Sequence, residues 1–134
     1  MAGYSKKPLA EKLGIKSGQK IYLANAPSDY HKTLGPLPEK ATLVKSLNGT
    51  CDFMQFFSTD RAALEAAFPN LKKHLAKNGT LWISWPKGAS KVKTDLNENL
   101  VREIGLKNDL VDVKVCAVDD VWSGLKFVFR LKDR

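Results

Sequence analysis

Residues 51–58 do most to narrow what this chain can fold into. Cys51, Phe53, Met54, Phe56 and Phe57 put apolar side chains on both faces of an extended strand. Such a strand has to be covered from two sides, as in a parallel sheet sandwiched between helices. The flanking segments agree with that demand. Strands are expected at 20–25, 42–47, 51–58, 80–85, 111–118 and 125–131, with helix-like segments between most of them. Alternation of this kind implies βαβ units. The expected fold is α/β and Rossmann-like, a mostly parallel sheet of about six strands with helices on both faces. In the last strand Lys126, Val128 and Arg130 alternate with apolar residues. One wet face suggests a C-terminal antiparallel strand.

The helices carry their own punctuation. Leu9 and Leu13 sit four apart and suit a short docking helix. Ser28 or Asp29 can cap a brief helix ending near residue 34. Thr59 or Asp60 can cap the next, whose Leu64, Ala67, Phe68, Leu71 and Leu75 share a face. Pro69 cannot continue a hydrogen-bond ladder, so two short helices are expected there, ended by Asn78-Gly79. Thr94 is the expected N-cap of a helix reaching about residue 107, with Leu96, Leu100, Val101 and Ile104 inward.

A chain of 134 residues suits a single domain. We read residues 17–134 as that domain and 1–16 as a basic N-terminal arm with a short helix. Cys51 and Cys116 lie far apart inside apolar runs, without a CxxC pair. A reducing compartment therefore fits better than a disulfide scaffold. No apolar stretch follows the early lysines, and no run is long enough to span a bilayer. A cytoplasmic protein without membrane partners is expected. The formal net charge is +8. Lys6, Lys7, Lys12, Lys16 and Lys20 crowd the first twenty residues, and Lys87, Lys91 and Lys93 form a second group. Such a surface attracts polyanions, or simply keeps the protein soluble.

Two stretches resemble class I methyltransferases. Residues 13–21, from Leu13-Gly14 to Lys20-Ile21, are similar to the lead-in of that fold's first strand. Residues 71–81, including His74 and Asn78-Gly79, are similar to the approach to its fifth. Over nearly its full length the chain resembles a bacterial family catalogued as domain of unknown function 3052. The resemblance rests on Asn25-Ala26-Pro27, on residues 82–87 and 94–96, and on residues 115–126 with Asp119-Asp120-Val121-Trp122-Ser123-Gly124. It implies a Rossmann-like, methyltransferase-like fold and brings no activity with it.

Departures from true methyltransferases matter as much. Those enzymes follow strand one with a glycine-rich turn, where this chain has Asn25-Ala26-Pro27-Ser28-Asp29-Tyr30. Pro27 also removes a backbone donor. They place an acidic residue at the end of strand two, where this chain has Val44-Lys45-Ser46-Leu47-Asn48. Both features argue against conventional S-adenosylmethionine binding. The missing GxGxxG argues equally against a nicotinamide cofactor. No cofactor and no metal are expected.

Open α/β sheets bind ligands beyond the carboxyl ends of their strands. The candidate ligand-binding residues are therefore Asn25 after strand one, Ser58 after strand three, Trp85, Lys87, Ser90, Lys91 and Thr94 after strand four, and Asp119, Asp120, Trp122 and Ser123 after strand five. They share one rim if strand five is parallel. The loop from Lys87 to Thr94 offers lysines and hydroxyls ahead of an expected helix N-terminus, a setting for phosphate or carboxylate. Asp119 and Asp120 can share a proton or bind a cation, or can simply close a turn. Trp85 and Trp122 are placed to wall the crevice, and Trp82 to pack in the core. His31 and His74 have no partners at catalytic or metal spacing. The leading expectation is a domain binding a small anionic or nucleotide-like ligand. A divergent methyltransferase-like enzyme and a nucleic-acid module using the basic arm are the alternatives.

Overall fold

In a computed structural model, which describes residues 7–134, the chain forms one six-stranded sheet between two helical layers. The elements are α1 (Leu9–Leu13), β1 (Lys20–Ala24), α2 (Tyr30–Leu34), β2 (Thr42–Val44), β3 (Cys51–Phe57), α3 (Arg61–Lys73), β4 (Leu75–Pro86), α4 (Glu98–Lys107), β5 (Leu110–Ala117) and β6 (Trp122–Phe129). The strand order is β2-β1-β3-β4-β6-β5. β1 pairs in parallel with β2 and β3, and β3 with β4. β6 is antiparallel to both β4 and β5. β5 therefore runs in the same direction as β1 to β4. The carboxyl ends of five strands and the start of β6 meet at one rim.

The doubly apolar β3 lies inside the sheet, as its composition requires. Met54 and Phe56 join Leu64, Phe68 and Leu71 of α3, Val101 and Ile104 of α4, and Leu81, Ile83 and Phe127 in one core. Phe53 and Phe57 face the other way, into a second core with Leu9, Leu13, Ile21, Tyr30, Leu34 and Trp82. Leu13 is fully buried there and its carbonyl accepts the Trp82 indole N–H at 2.9 Å. The short N-terminal helix is thus built into the core of that face. In β6, Leu125, Phe127 and Phe129 are buried while Lys126 and Val128, like Arg130 just past the strand, are only half-buried.

Five boundaries differ from the sequence expectation. α3 runs unbroken through Pro69. Pro69 and Glu65, whose carbonyl loses its donor, are both exposed, so water can replace the missing bond. Asn78-Gly79 lies inside β4, at an irregularity where Cys51 pairs with Leu75 but Phe53 with Thr80. A Cβ on Gly79 would sit 2.8 Å from the Asp52 carbonyl oxygen, so the two backbones meet there because glycine permits it. β2 stops at Val44, and β6 begins at Trp122, three residues earlier than the apolar pattern suggests. α4 begins at Glu98 rather than after Thr94. Its cap is Asn97, whose side chain accepts the Leu100 N–H at 2.9 Å.

No helix among the described residues is long and apolar enough to cross a membrane.

Candidate functional site

The rim site begins at the residue after β1. Asn25 adopts φ 58°, the left-handed region that side chains rarely enter, and its amide donates to the Phe57 carbonyl at 3.4 Å. Asparagine is one of the few residues that tolerate this conformation. The chain thus makes a left-handed turn after strand one without glycine.

The next wall comes from the end of β3. Ser58 is buried; its hydroxyl donates to the Asp60 carbonyl at 2.9 Å and accepts the Asp60 N–H at 3.1 Å. This knot turns the chain into α3, where the Asp60 carboxylate accepts the Ala63 N–H at 2.9 Å. The third wall is Trp122. Asp119 accepts the Val121 and Trp122 amides, each at 2.8 Å, and thereby fixes the β5–β6 turn. The Phe57 ring meets Trp122 edge-on at 5.2 Å and Tyr30 at 4.8 Å. Asn25, Phe57, Ser58, Thr59, Asp60, Ala63 and Trp122 line a cleft of about 310 Å³. A second opening of about 380 Å³ shares Thr59 and Asp60 and adds Lys93, Thr94 and Asp95. Both fall at the small end of ligand pockets.

The expected residues do not all converge. Asn25, Ser58 and Trp122 meet in the first cleft, and Thr94 lies in the second. Trp85 is a correction: it is 5% exposed and packs in the α3/α4 core. β4 extends to Pro86, so Trp85 follows the strand's alternation and shares the face of Leu81 and Ile83. Thr94 is a second correction. It caps no helix; its hydroxyl donates to the Thr59 carbonyl at 2.7 Å and accepts the Leu96 N–H at 3.0 Å, fastening the loop to α3's entrance. The lysine loop therefore does not run straight into a helix N-terminus.

Lys87, Ser90 and Lys91 stand beside the clefts without lining them. The Lys87 N–H donates to the Val121 carbonyl at 2.7 Å, which joins the lysine loop to the tryptophan turn at one end of the molecule. Ser90 donates to the Lys87 carbonyl at 2.7 Å, closing a tight turn, and Lys91 is left-handed at φ 66°. Asp120 is exposed and Ser123 pairs within the sheet. His31 is exposed, and His74 Nδ1 lies 2.7 Å from the Gly49 carbonyl, away from the rim. Lys6 lies outside the described residues.

Phe57, Thr59 and Ala63 line the cleft, though the sequence marked none of them as a ligand-binding residue. Phe57 and Thr59 flank Ser58 at a strand's carboxyl end, and Ala63 comes from the first turn of α3. Tyr30 and Gln55 were likewise missed. Beneath the cleft the Tyr30 hydroxyl donates to Gln55 Oε1 at 2.5 Å, and Gln55 Nε2 donates to Ser84 Oγ at 3.0 Å. All three residues are buried. Burial pushes the Tyr30 phenol well above its ordinary range, against the Gln55 hydrogen bond, and the Asp119 charge pushes the same way.

No family model matches the sequence. No curated protein is similar to it. Solved structures are. An O-methyltransferase family 2 protein from Planctomyces limnophilus superposes with a TM-score of 0.63 at 9% identity, over 85% of this chain and 50% of that one. This chain thus spans half the length of that protein. A ribosomal protein L11 methylase from Lactobacillus delbrueckii subsp. bulgaricus gives 0.60 at 14% identity, over 90% and 74%. An S-adenosylmethionine-dependent methyltransferase from Aquifex aeolicus gives 0.57 at 17% identity, over 87% and 85%. Identities this low speak for architecture alone. The chain has the α/β, Rossmann-like fold of these methyltransferases, with a sheet that is mostly but not wholly parallel.

Proposed function

We propose that the rim cleft binds an adenosyl ligand of the S-adenosylmethionine class, and that the chain is a divergent methyltransferase-like domain of the family catalogued as domain of unknown function 3052. The observation that carries this reading is the left-handed turn at Asn25, at φ 58°. It supplies after β1 the kind of turn that a glycine loop makes in conventional enzymes, and it opens onto Ser58, Asp60 and Trp122. The fold likeness to methyltransferases supports it.

The residues fit such a ligand in part. Trp122, braced by Phe57, gives a flat apolar wall for a base. The Asn25 amide, the Thr59 hydroxyl and the Asp60 carboxylate are polar groups at the same opening. No carboxylate follows β2, where Lys45 stands, so ribose hydroxyls would be met by Thr59 and Asp60 instead. When bound, S-adenosylmethionine supplies a methyl group on a sulfonium. The chain's own part is to hold the nucleoside and to keep water from one side of it.

A second reading, a phosphorylated nucleotide, is favoured by Lys93 and Thr94 in the adjoining opening. Calorimetry with S-adenosylhomocysteine and with ADP separates the two. The account expects heat with S-adenosylhomocysteine, and a roughly tenfold weaker Kd in Trp122→Ala, about 1.4 kcal/mol. Heat with ADP alone would transfer the cleft to the second reading. No heat with either ligand at millimolar concentration would refute both.

A further inference from the structure

The side of the sheet covered by α1 and α2 carries a charge arrangement that the rim does not explain. Lys114 of β5 and Lys126 of β6 are directly opposed across the antiparallel pair. Opposed positions hold their Cβ atoms about 4.5–5.5 Å apart, and like charges there destabilise the sheet. Lys126 also stands opposite the buried Trp82 in β4, so its stem lies along apolar surface. Its ammonium reaches the corner after α1, where a Cβ on Gly14 would be 3.7 Å from Nζ. Lys16, two residues on, adds a third charge. None of the three has an ion-pair partner among the described residues. Arg102, by contrast, is held by both Glu98 and Asp112.

We propose that Lys16, Lys114 and Lys126 form a docking site for the phosphodiester backbone of a nucleic-acid strand, with the strand crossing the β5–β6 hairpin on the α1/α2 face. Three ammonium groups without a counter-charge are an incomplete electrostatic arrangement, and a row of phosphates completes it. The site is open: Lys16 and Lys114 are exposed and Lys126 is half-buried. An open cluster at a sheet edge suits a continuous strand better than a small enclosed anion. Partial burial, then the charges of Lys114 and Lys16, lower the Lys126 pKa, so a bound anion would relieve a cost already present. The proposal is independent of the adenosyl reading, because none of its residues lines the rim clefts.

Fluorescence anisotropy with a labelled 15-nucleotide single-stranded RNA, at 50–300 mM salt, tests it on the full chain. The comparison is between Lys114→Gln/Lys126→Gln and Lys73→Gln/Lys107→Gln, which removes the same charge from α3 and α4. The first variant is expected to weaken binding at least tenfold and to flatten the log–log salt slope by about 1.4, two contacts at about 0.7 each. The second is expected to change affinity less than twofold. Lys114→Glu provides a check against a merely structural role. It creates an opposite-charge pair with Lys126, so it should raise Tm by about 2 °C while abolishing RNA binding. Equal losses in the two double variants would overturn the site, as would no binding by the wild type. Tripolyphosphate competing as well as the 15-mer, per phosphate, would overturn the strand in favour of a free phosphate ligand.

Discussion

The two faces of the sheet are built on different terms. Beneath α3 and α4 the core is a packing of Met54, Phe56, Phe68, Leu81, Ile83, Trp85 and Phe127, with the buried Ser58 bonded to Asp60 at α3's entrance. Beneath α1 and α2 the core holds a chain of buried polar groups, Tyr30, Gln55 and Ser84, and the Trp82 indole bonded to Leu13. That face also carries Trp122, the rim wall, and the opposed Lys114 and Lys126. Apolar packing is non-directional and tolerates substitution of similar volume, whereas a hydrogen-bonded chain requires particular partners at particular distances. One face supplies stability, and the other holds position at the edge where a ligand would bind.

The largest effect expected from breaking this contrast is on the apolar face. Phe127→Ala removes a fully buried ring that packs edge-on against Phe68 at 5.7 Å. It should cost about 3–5 kcal/mol by denaturant unfolding and leave ligand affinity unchanged in the folded fraction. On the polar face the signature is coupling. Gln55→Leu strands the Tyr30 hydroxyl and should cost about 1–3 kcal/mol, and Tyr30→Phe strands Gln55 Oε1 at a similar cost. The double variant should cost less than the sum, because no orphan is left at that bond. Strict additivity would mean that the buried chain does not act as a unit.

Tyr30 also carries a pH signature. Its phenol is raised in the folded protein by burial, so folding favours the protonated form. The linked stability is intact below the ordinary tyrosine pKa of about 10 and falls as pH rises beyond it. Thermal melts should therefore show a steeper alkaline loss in the wild type than in Tyr30→Phe. The smallest effect concerns where the apolar face begins. Asn97→Ala should cost about 1 kcal/mol as the loss of a true cap. Thr94→Ala should cost less, since it loosens the loop's link to Thr59 and the Leu96 turn but no helix cap.

The course of the backbone was far more legible in the sequence than the site. Residues 51–58 announced a buried strand because Phe53, Met54, Phe56 and Phe57 put apolar side chains on both faces, and the wet alternation at Lys126, Val128 and Arg130 announced an antiparallel one. Pro69 misled because the cost of a proline in a helix depends on whether the freed carbonyl reaches water, which no sequence shows. Asn78-Gly79 reads as a turn by composition but serves a close approach to Asp52, a long-range contact. Thr94 and Asn97 are both competent caps, and the tie is broken by the Thr59 carbonyl. Trp85 was misplaced by one consideration alone: whether the strand stops before it or carries it inward. Lys114 and Lys126 are twelve residues apart, and only the β5–β6 register makes them a pair.

The rim at Asn25, Ser58 and Trp122 is the proposed ligand site. Amide NMR of the uniformly labelled protein, titrated with S-adenosylhomocysteine, tests it most directly. The account predicts saturable shifts at Asn25, residues 57–63 and Trp122, with the α3/α4 core still. Absence of shifts, or shifts confined to the cleft around Lys72, Lys77 and Arg130 away from the rim, would contradict it.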